Sequence, residues 1–355
     1  MLVINIAMFA AMMAAGAGLW HRSSDIQLAW GANFGPATQD GQWWRLGSAM
    51  FLHFGVIHLA MNMLALWDVG RVVEKIYGSL RFVLVYLSAG LAGNLLSLVV
   101  RDGKAVSGGA SGAIFGLYGA LLAFAWYYRG RLHRSDFRWF FWGAGTFALV
   151  MIAIGQMLAI VDNAAHIGGL IAGIVSGTIA LPSHKDLPSR FFLKARVGSA
   201  IIANIILLLL LENIPQPRYL WSDELSARTE IARFISQDAA ISTAWQNLLD
   251  GRNRDVPSFD FLAGEIETQV ASRYENSFEQ ISKVHLAPAT PSASALAALQ
   301  TYAAMRREAS RAMVEGLRTG DQQKIKSAID IAKRSKGVAK PAITGISKPT
   351  QSPSR

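Results

Sequence analysis

Residues 107–128, SGGASGAIFGLYGALLAFAWYY, carry a serine, Ser111, between small residues at the start of a long apolar run. A second apolar run opens in the same way: residues 162–177, DNAAHIGGLIAGIVSG, place His166 at its start. Runs of this kind predict membrane-spanning helices, and polar side chains inside such helices are functional by default. The two segments therefore predict a serine and a histidine at a common depth in a membrane.

Helix geometry sets that depth. From Ser111 to Tyr128 a helix rises about 27 Å, and from His166 to Leu181 about 24 Å, against a hydrocarbon core of about 30 Å. Both side chains are expected a few ångströms below one membrane boundary. Because small residues at four-residue spacing let helix backbones approach closely, Ser111 and His166 are expected within hydrogen-bonding reach. The small residues concerned are Gly112 and Gly116 on the first helix and Gly169, Gly173 and Gly177 on the second.

Composition indicates a polytopic membrane protein with a soluble part. The chain has 355 residues, 52% hydrophobic, and a mean hydropathy of +0.29, which is too apolar for an ordinary soluble protein. Residues 1–213 hold nearly all the long apolar runs. The net charge of +10 is spread over both parts of the chain, so nucleic acid is not indicated as a partner. The absence of cysteine excludes disulfides, thiolate catalysis and Cys-ligated metal sites.

Seven spans are predicted along the first part of the chain. The first could be a signal peptide, but it lacks a basic n-region and is long for one, so a helix that stays in the membrane is favoured. The second span begins near Phe51 and continues to about Ile76 by helical continuity. The predicted spans cover 2–20, 51–76, 82–100, 111–128, 139–161, 164–181 and 197–211.

Basic residues in the loops predict the orientation. Loops after the even-numbered spans carry eleven basic residues and the other loops carry four. By the positive-inside rule the amino terminus is cytoplasmic, and the helices of Ser111 and His166 begin on the outer side. An odd number of spans then delivers the C-terminal part to the outer side of what is expected to be a bacterial cytoplasmic membrane.

The C-terminal part reads as soluble and helical. Apolar residues recur at roughly helical spacing, and the linkers between the helices contain Pro and Gly. Helices are predicted at 222–250, 257–286, 292–318 and 321–334. The predicted organisation is a six-helix core over 1–181, a cytoplasmic loop and seventh span over 182–213, a soluble domain over 214–334 and a disordered tail over 335–355.

A serine needs a base to become a nucleophile and donors that stabilise the oxyanion. His166 is the candidate base, and the Ser111 amide is a free donor because it opens a helix. His58 and Asn62 are four residues apart, on one helix face, and can supply side-chain donors to the same cavity. Taken alone, GASG is equally a sequence for close helix packing, so the combination of residues carries the argument.

Together these residues resemble a known family. GASG around Ser111, AHIGG around His166, HFGVIHLAMN ending at Asn62 and the Trp-Arg pair of the first loop are similar to the motifs of the rhomboid intramembrane serine proteases. The resemblance covers residues 1–181, and the seventh span suggests the six-plus-one form. It implies that Ser111 is the nucleophile, His166 the general base, and His58 and Asn62 the oxyanion-side residues.

The resemblance also implies structural roles. Trp44 and Arg45 are expected to brace the first loop, Glu74 to tie helices together in the inner half, and Phe115 to lie against the histidine, although plain core packing is an equal interpretation of Phe115. His53 matches the first histidine of the family motif. The supporting glycines are Gly109, Gly112, Gly169 and Gly173.

The expected function is a serine endopeptidase that cleaves transmembrane segments of other membrane proteins near the outer boundary, through an acyl-enzyme. The expected partners are transmembrane substrates and membrane lipid, with no cofactor and no metal, since no helix carries an HExxH pattern. Asp162 leaves a triad open, but a serine–histidine dyad is favoured.

Two other classes of protein are alternatives to a protease. A catalytically silent rhomboid-like scaffold would bind client helices without cleaving them, and such relatives typically lack the serine or the histidine. A transporter would carry an intramembrane charge pathway or inverted repeats, and neither is found.

Overall fold

The computed structural model describes residues 1–20, 24–101, 105–158, 160–182, 189–250 and 258–346. This part of the chain is helical, apart from one isolated β-bridge between Asn33 and Ser107. It forms two compact units: unit 1 is Met1–Pro217, and unit 2 begins at Arg218. The predicted all-α architecture, a polytopic membrane helix bundle followed by a helical region, is confirmed.

Unit 1 contains seven principal helices, all apolar. Four of them, α2, α3, α5 and α7, are long and apolar enough to cross a membrane, and α1, α4 and α6 are shorter apolar helices of 10–17 residues. The bounds are α1 Leu2–Ala14, α2 Val56–Tyr77, α3 Ser79–Val100, α4 Ser111–Tyr127, α5 Arg134–Met157, α6 Asn163–Ile179 and α7 Ser189–Glu212.

Two predicted span boundaries are wrong for identifiable reasons. Helix α1 ends at Ala14, because Gly16 takes a positive φ of 94° that ends the helix. Helix α7 has 24 residues rather than the 15 of the predicted run, since the basic segment before Val197 is also helical. At about 1.5 Å per residue, α7 is about 36 Å long and can cross a bilayer without help. Its apolar side chains are largely exposed, as expected for a helix that faces lipid.

Helix α4 lies at the centre of unit 1. Twelve of its 17 residues are buried, on all sides of the helix, which is the pattern of a helix enclosed by other helices. It packs against α2, α3, α5 and α6, and the most extensive contact joins it to α6.

Glycines bring α4 and α6 into backbone contact. A Cβ on Gly169 would lie 2.0 Å from the carbonyl oxygen of Gly112, and one on Gly173 would lie 2.0 Å from that of Gly116. Real Cβ atoms do not approach so closely, so no larger side chain fits at either position without moving a helix. Further along, a Cβ on Gly177 would lie 2.6 Å from Ala120 Cα. Small residues therefore set the separation of the two helices along their full length.

Before α2, a structured first loop contains short helices over Asp25–Ala29, Gly35–Gln39 and Arg45–Ser48. The loop is fastened to α3, because Asn94 Nδ2 donates to Leu46 O at 2.7 Å and Asn33 Nδ2 donates to Asn94 O at 3.0 Å. These buried amide contacts hold the loop against the helix bundle.

Unit 2 consists of helices packed around two apolar clusters. A π-helical turn, Glu267–Ala271, joins α9 to α10 without a break. The bounds are α8 Trp221–Asp250, α9 Phe259–Ile266, α10 Ser272–Ser282, α11 Ala293–Thr319 and α12 Gln322–Ile346.

Two carboxylates, one of them fully buried, fasten the helices of unit 2 together. Glu224, fully buried on α8, accepts hydrogen bonds from the amide of Ser292 at 3.0 Å and from its hydroxyl at 2.8 Å, at the start of α11. Asp238 accepts from the hydroxyls of Tyr274 at 2.9 Å and Tyr302 at 2.8 Å. Burial raises the pKa of Tyr274, so its hydroxyl keeps the proton that it donates.

The predicted disordered tail begins too early. Helix α12 continues to Ile346, twelve residues beyond the predicted end at 334, and residues 347–355 lie outside the described part of the chain. Ser335, the first residue of the predicted tail, is fully buried and donates to Ala332 O at 2.8 Å. Ser335 is small and carries little hydropathy, yet it continues the packed face of this helix beyond the large apolar residue Ile331.

The glycine contact between α4 and α6 generates a prediction. In Gly173→Val, the new side chain meets the carbonyl of Gly116 and forces the helices apart, which costs about 1–3 kcal/mol for overpacking. We expect a lower unfolding temperature in detergent and slower labelling of Ser111 by a small serine-directed phosphonate. Gly198→Val on α7, where a Cβ meets nothing within 4 Å, is the matched control. Wild-type stability and labelling of the Gly173 variant would contradict the close-approach interpretation.

Candidate active site

The two residues singled out in the sequence lie in contact. Ser111 is the first residue of α4, and its Oγ lies 2.8 Å from Nε2 of His166 in the first turns of α6. His166 is buried, with 7% of its surface exposed. A serine hydroxyl that donates to a histidine nitrogen is the arrangement in which the histidine can accept its proton as it attacks.

The His166 ring is held by an aromatic face. Phe115, one turn below Ser111 on α4, stacks on it with ring centroids 4.3 Å apart and planes inclined by 9°. Nδ1 of His166 is buried and has no hydrogen-bond partner among the described residues. Packing against Phe115, rather than a hydrogen bond to Nδ1, therefore orients the ring.

Among the described residues, the carboxylate of Asp162 makes no hydrogen bond to the His166 ring, although the Asp162 carbonyl accepts from the His166 amide at 3.2 Å. The carboxylate instead organises the segments around it. Oδ1 accepts from the amide of Ala165 at 3.1 Å and so caps α6. Oδ2 accepts from the hydroxyls of Ser97 and Ser107, each at 2.5 Å. Arg101 lies 3.7 Å from the same oxygen. The carboxylate thus joins the end of α3, the segment before Ser111 and the start of α6.

On the other side of Ser111 lies His58 of α2. The amide of Phe54 donates to its Nδ1 at 3.3 Å, so in the neutral ring the proton is on Nε2. Gly109 separates His58 from the serine: a Cβ built on it would lie 3.0 Å from His58 Nε2 and 3.8 Å from Ser111 Oγ. Gly109 has a φ of 141°, which favours glycine. A larger residue would displace the ring from the serine.

Asn62 lies one turn along α2 from His58 and is also buried. Its Nδ2 donates to the His58 carbonyl at 2.8 Å, which leaves the second hydrogen of the amide group for another acceptor. His53 is fully buried, and its ring meets His58 edge-on with centroids 5.1 Å apart. Its ring nitrogens have no partner among the described residues, so its contact with His58 is through ring packing.

Arg45 is the buried brace of the first loop. Nε donates to Gln42 Oε1 at 2.7 Å, and one terminal nitrogen donates to Leu28 O at 2.7 Å and Ala32 O at 3.1 Å. Its guanidinium lies over the ring of Trp44, 4.9 Å from the centroid. One side chain thus binds two carbonyls of the first loop, those of Leu28 and Ala32.

Glu74 lies away from this site. It is exposed near the end of α2, and its Oε1 accepts from the Ser79 hydroxyl at 2.7 Å, which joins α2 to the start of α3. The contact involves two helices that are consecutive in the chain. It has no direct connection to Ser111.

Several contacts of the site could not be read from the sequence. Ser97 and Ser107 act through hydrogen bonds to Asp162, which is far away in the chain, and the Phe54 amide acts through a hydrogen bond to the ring of His58, four residues on. The β-bridge of Ser107 with Asn33, with N–O distances of 2.8 and 2.9 Å, likewise joins the first loop to the segment before Ser111. The one available signal was Ser97 itself, a polar residue near the end of an apolar span.

The fold and site define a class: polytopic helical membrane proteins with a serine–histidine pair below one end of the bundle. Comparison with known proteins places the chain within it. The family model described as the rhomboid domain matches residues 40–183. The chain belongs to the rhomboid family.

Its relatives include bacterial and plant proteins. It is 41% identical over 163 residues to rhomboid protease GluP of Bacillus subtilis, covering 45% of this chain and 31% of GluP. It is 36% identical to RHOMBOID-like protein 6, mitochondrial, of Arabidopsis thaliana, over 45% of this chain and 50% of that protein. The B. subtilis protein named "Putative rhomboid protease YdcA" is 34% identical over 41% of this chain and 70% of its own length. The chain thus spans a third to a half of the first two relatives.

The hydrogen bonds of Asp162 generate a prediction. Asp162→Ala removes the cap of α6, worth about 0.5–2 kcal/mol, and frees the hydroxyls of Ser97 and Ser107. We expect slower labelling of Ser111 by a fluorophosphonate, measured well below the unfolding temperature, because the segment before Ser111 is no longer fixed to α6. Asp162→Asn keeps an acceptor for the cap, so its labelling rate should lie between those of the wild type and Asp162→Ala.

The matched control is Asp136→Ala, at an exposed aspartate on α5. A lower unfolding temperature of the Asp162 variant with an unchanged labelling rate would mean that Asp162 only stabilises the fold.

Proposed function

We propose that this protein is an intramembrane serine endopeptidase that cleaves transmembrane segments of other membrane proteins. The observation that carries the proposal is the 2.8 Å contact of Ser111 Oγ with His166 Nε2 in a buried setting. The family membership, and relatives that are named rhomboid proteases, support the same class of activity. An inactive rhomboid-like protein would bind client helices at the same surface without cleaving them.

In the proposed reaction, Ser111 Oγ attacks the carbonyl carbon of the scissile bond as His166 Nε2 takes its proton. The resulting oxyanion lies near the Ser111 amide, which opens α4 and has no acceptor within the helix. The Nε2 proton of His58 and the second hydrogen of the Asn62 amide group are the proposed further donors to this oxyanion. His166 then gives its proton to the leaving amine, and an acyl-enzyme forms.

Water must complete the reaction. With His166 as the base, a water molecule attacks the acyl carbonyl, and the proton returns to Ser111 Oγ as the ester bond breaks. Ser111 lies at the start of its helix rather than at the centre of the bundle, which shortens the path from the aqueous boundary. Lipid surrounds the other helices.

The same geometry suggests the substrate class. Backbone in hydrocarbon stays helical because its polar groups have no other partners, so a substrate segment must unwind before its carbonyl can be attacked. We expect substrates with small or helix-breaking residues near the membrane boundary. The family resemblance further implies a small residue just before the cut.

The proposed arrangement of the chain assigns catalysis to the six-helix core, 1–181. The seventh helix then connects this core to a soluble helical domain. Positive charge in the loops after even-numbered spans supports a cytoplasmic amino terminus, with unit 2 and the opening to Ser111 on the outer, periplasmic side.

The dyad is tested by removing each reacting group. We expect Ser111→Ala and His166→Ala to abolish cleavage of a reconstituted transmembrane substrate, because neither variant can complete proton transfer and attack. Ser111→Ala should fold, since it removes a single oxygen, whereas His166→Ala removes a buried ring that stacks on Phe115, so its unfolding temperature in detergent is measured alongside. Ser176→Ala on α6 is the matched control: its buried hydroxyl has no partner among the described residues.

Cleavage by either dyad variant would overturn the mechanism. The silent scaffold has a different signature. The wild-type protein would then capture the substrate helix without cleaving it, and Ser111 would not react with a fluorophosphonate under the same conditions.

The orientation is tested with one cysteine in this cysteine-free chain. Ser335 is unsuitable because it is buried, whereas Ala289 is exposed in the connection between α10 and α11. We expect the Ala289→Cys variant to react with a membrane-impermeant maleimide in intact spheroplasts. Labelling only after lysis would place unit 2 in the cytoplasm.

A further inference from the structure

The last helix of unit 2, α12, has two unlike sides. Ala328, Ile331 and Ser335 are buried and form its packed side. The opposite side is exposed and cationic; we call it the basic face of α12. It carries four exposed cations, Lys326, Lys333, Arg334 and Lys336.

Six other described cations of unit 2 form ion pairs with carboxylates: Arg228, Arg233, Lys283, Arg311, Arg318 and Lys324. Arg228 pairs with Glu224, and Arg311 with both Glu267 and Glu275. Lys324, at the edge of α12, pairs with Glu315 at 2.5 Å.

Within the described residues, by contrast, none of the four cations of the basic face has a carboxylate within 4.0 Å. Asp330 is exposed on the same side, yet one carboxylate cannot balance four positive charges. The basic face therefore has charge that the protein itself does not neutralise.

The charge is also segregated along the chain. Residues 218–321 contain eleven basic and fourteen acidic residues, whereas residues 322–346 contain six basic and one acidic. The rest of unit 2 is net negative, and the positive charge is concentrated on a single helix. A solvated helix surface with interspersed charges would not show this separation.

Unit 2 is tethered close to a membrane. Helix α7 ends at Glu212 and α8 begins at Trp221, so eight residues connect them. At about 3.5 Å per residue, this connection spans at most about 28 Å. Attachment gives any weak contact between unit 2 and the lipid surface a high effective concentration. The basic face therefore belongs to a unit whose first helix is joined to a membrane-spanning helix by a short connection.

We propose that the basic face of α12 binds the anionic phospholipid headgroups of the membrane that α7 spans. Four clustered cations on an amphipathic helix match the known requirement for such binding, in which each cation near the surface strengthens binding about fivefold. Ile329, on the same side and 40% exposed, can enter the interface between the cations. The proposal depends neither on proteolysis nor on which side of the membrane unit 2 occupies.

The test uses the full chain with the single substitution Ser327→Cys, at the edge of the basic face, carrying a fluorophore. The protein is reconstituted into phosphatidylcholine vesicles with or without phosphatidylglycerol, each containing a lipid with a quencher on its headgroup. We expect at least about threefold more quenching with phosphatidylglycerol, lost in high salt because screening shortens electrostatic reach. The same fluorophore at Ser226→Cys, exposed on α8, should show no such change.

Charge variants complete the design. Lys326→Glu with Lys333→Glu should remove the extra quenching at position 327. Arg273→Glu with Lys283→Glu changes the net charge equally at exposed sites on α10 and just after it, and should leave the quenching intact.

Equal quenching with and without phosphatidylglycerol, or quenching that survives the α12 charge reversal, overturns the proposal. The fluorophore could instead be shielded by added single-stranded nucleic acid or by an acidic peptide, but not by phosphatidylglycerol. That result would assign the basic face to the nucleic acid or the peptide, and it would equally overturn the proposal. Because Ser111→Ala should behave as the wild type in every arm, the outcome is independent of the proposed protease activity.

Discussion

The direct contact between the backbones of α4 and α6 is the constraint on which the site depends. Gly169 and Gly173 lie against the carbonyls of Gly112 and Gly116, where even a methyl group would be about 2 Å from an oxygen. Because Ser111 opens α4 and His166 lies in the first turns of α6, the separation of these helices sets the distance between the two side chains. Close packing along the length of both helices thus fixes a hydrogen bond at one end.

A second constraint acts around Ser111 itself. Asp162 accepts hydrogen bonds from Ser97, Ser107 and the amide of Ala165, and so connects three segments through residues that have no proposed catalytic role. One buried carboxylate in a low-dielectric setting is stabilised by several donors, and in turn each donor is held in place. This explains why an acidic residue close to His166 in sequence need not act as the third member of a triad. It holds the segments from which Ser111 and His166 project.

Sequence reasoning predicted the elements whose signal is local. The apolar runs, the glycine spacing and the positions of Ser111 and His166 led to a helical membrane bundle in which these residues approach each other. The roles of Ser111, His166, His58 and Asn62 stay predictions. Local reasoning failed where small or amphipathic residues determine the ends of a helix. Helix α7 begins eight residues before its apolar run. Helix α12 continues past the predicted end at 334, and its packed side there includes the small buried residue Ser335.

The bonds of Asp162 to Ser97 and Ser107, and of Arg45 to the first loop, could not have been predicted, because they join positions that are far apart in the chain and meet only in the finished fold. The central claim is that His166 activates Ser111, and it is tested most directly by peptide mapping of the full chain after reaction with a fluorophosphonate. The account predicts one covalent adduct, on Ser111, and none on this serine when His166 is replaced by Ala. An adduct on other serines to the same extent, or one on Ser111 that forms at an unchanged rate without His166, would contradict it.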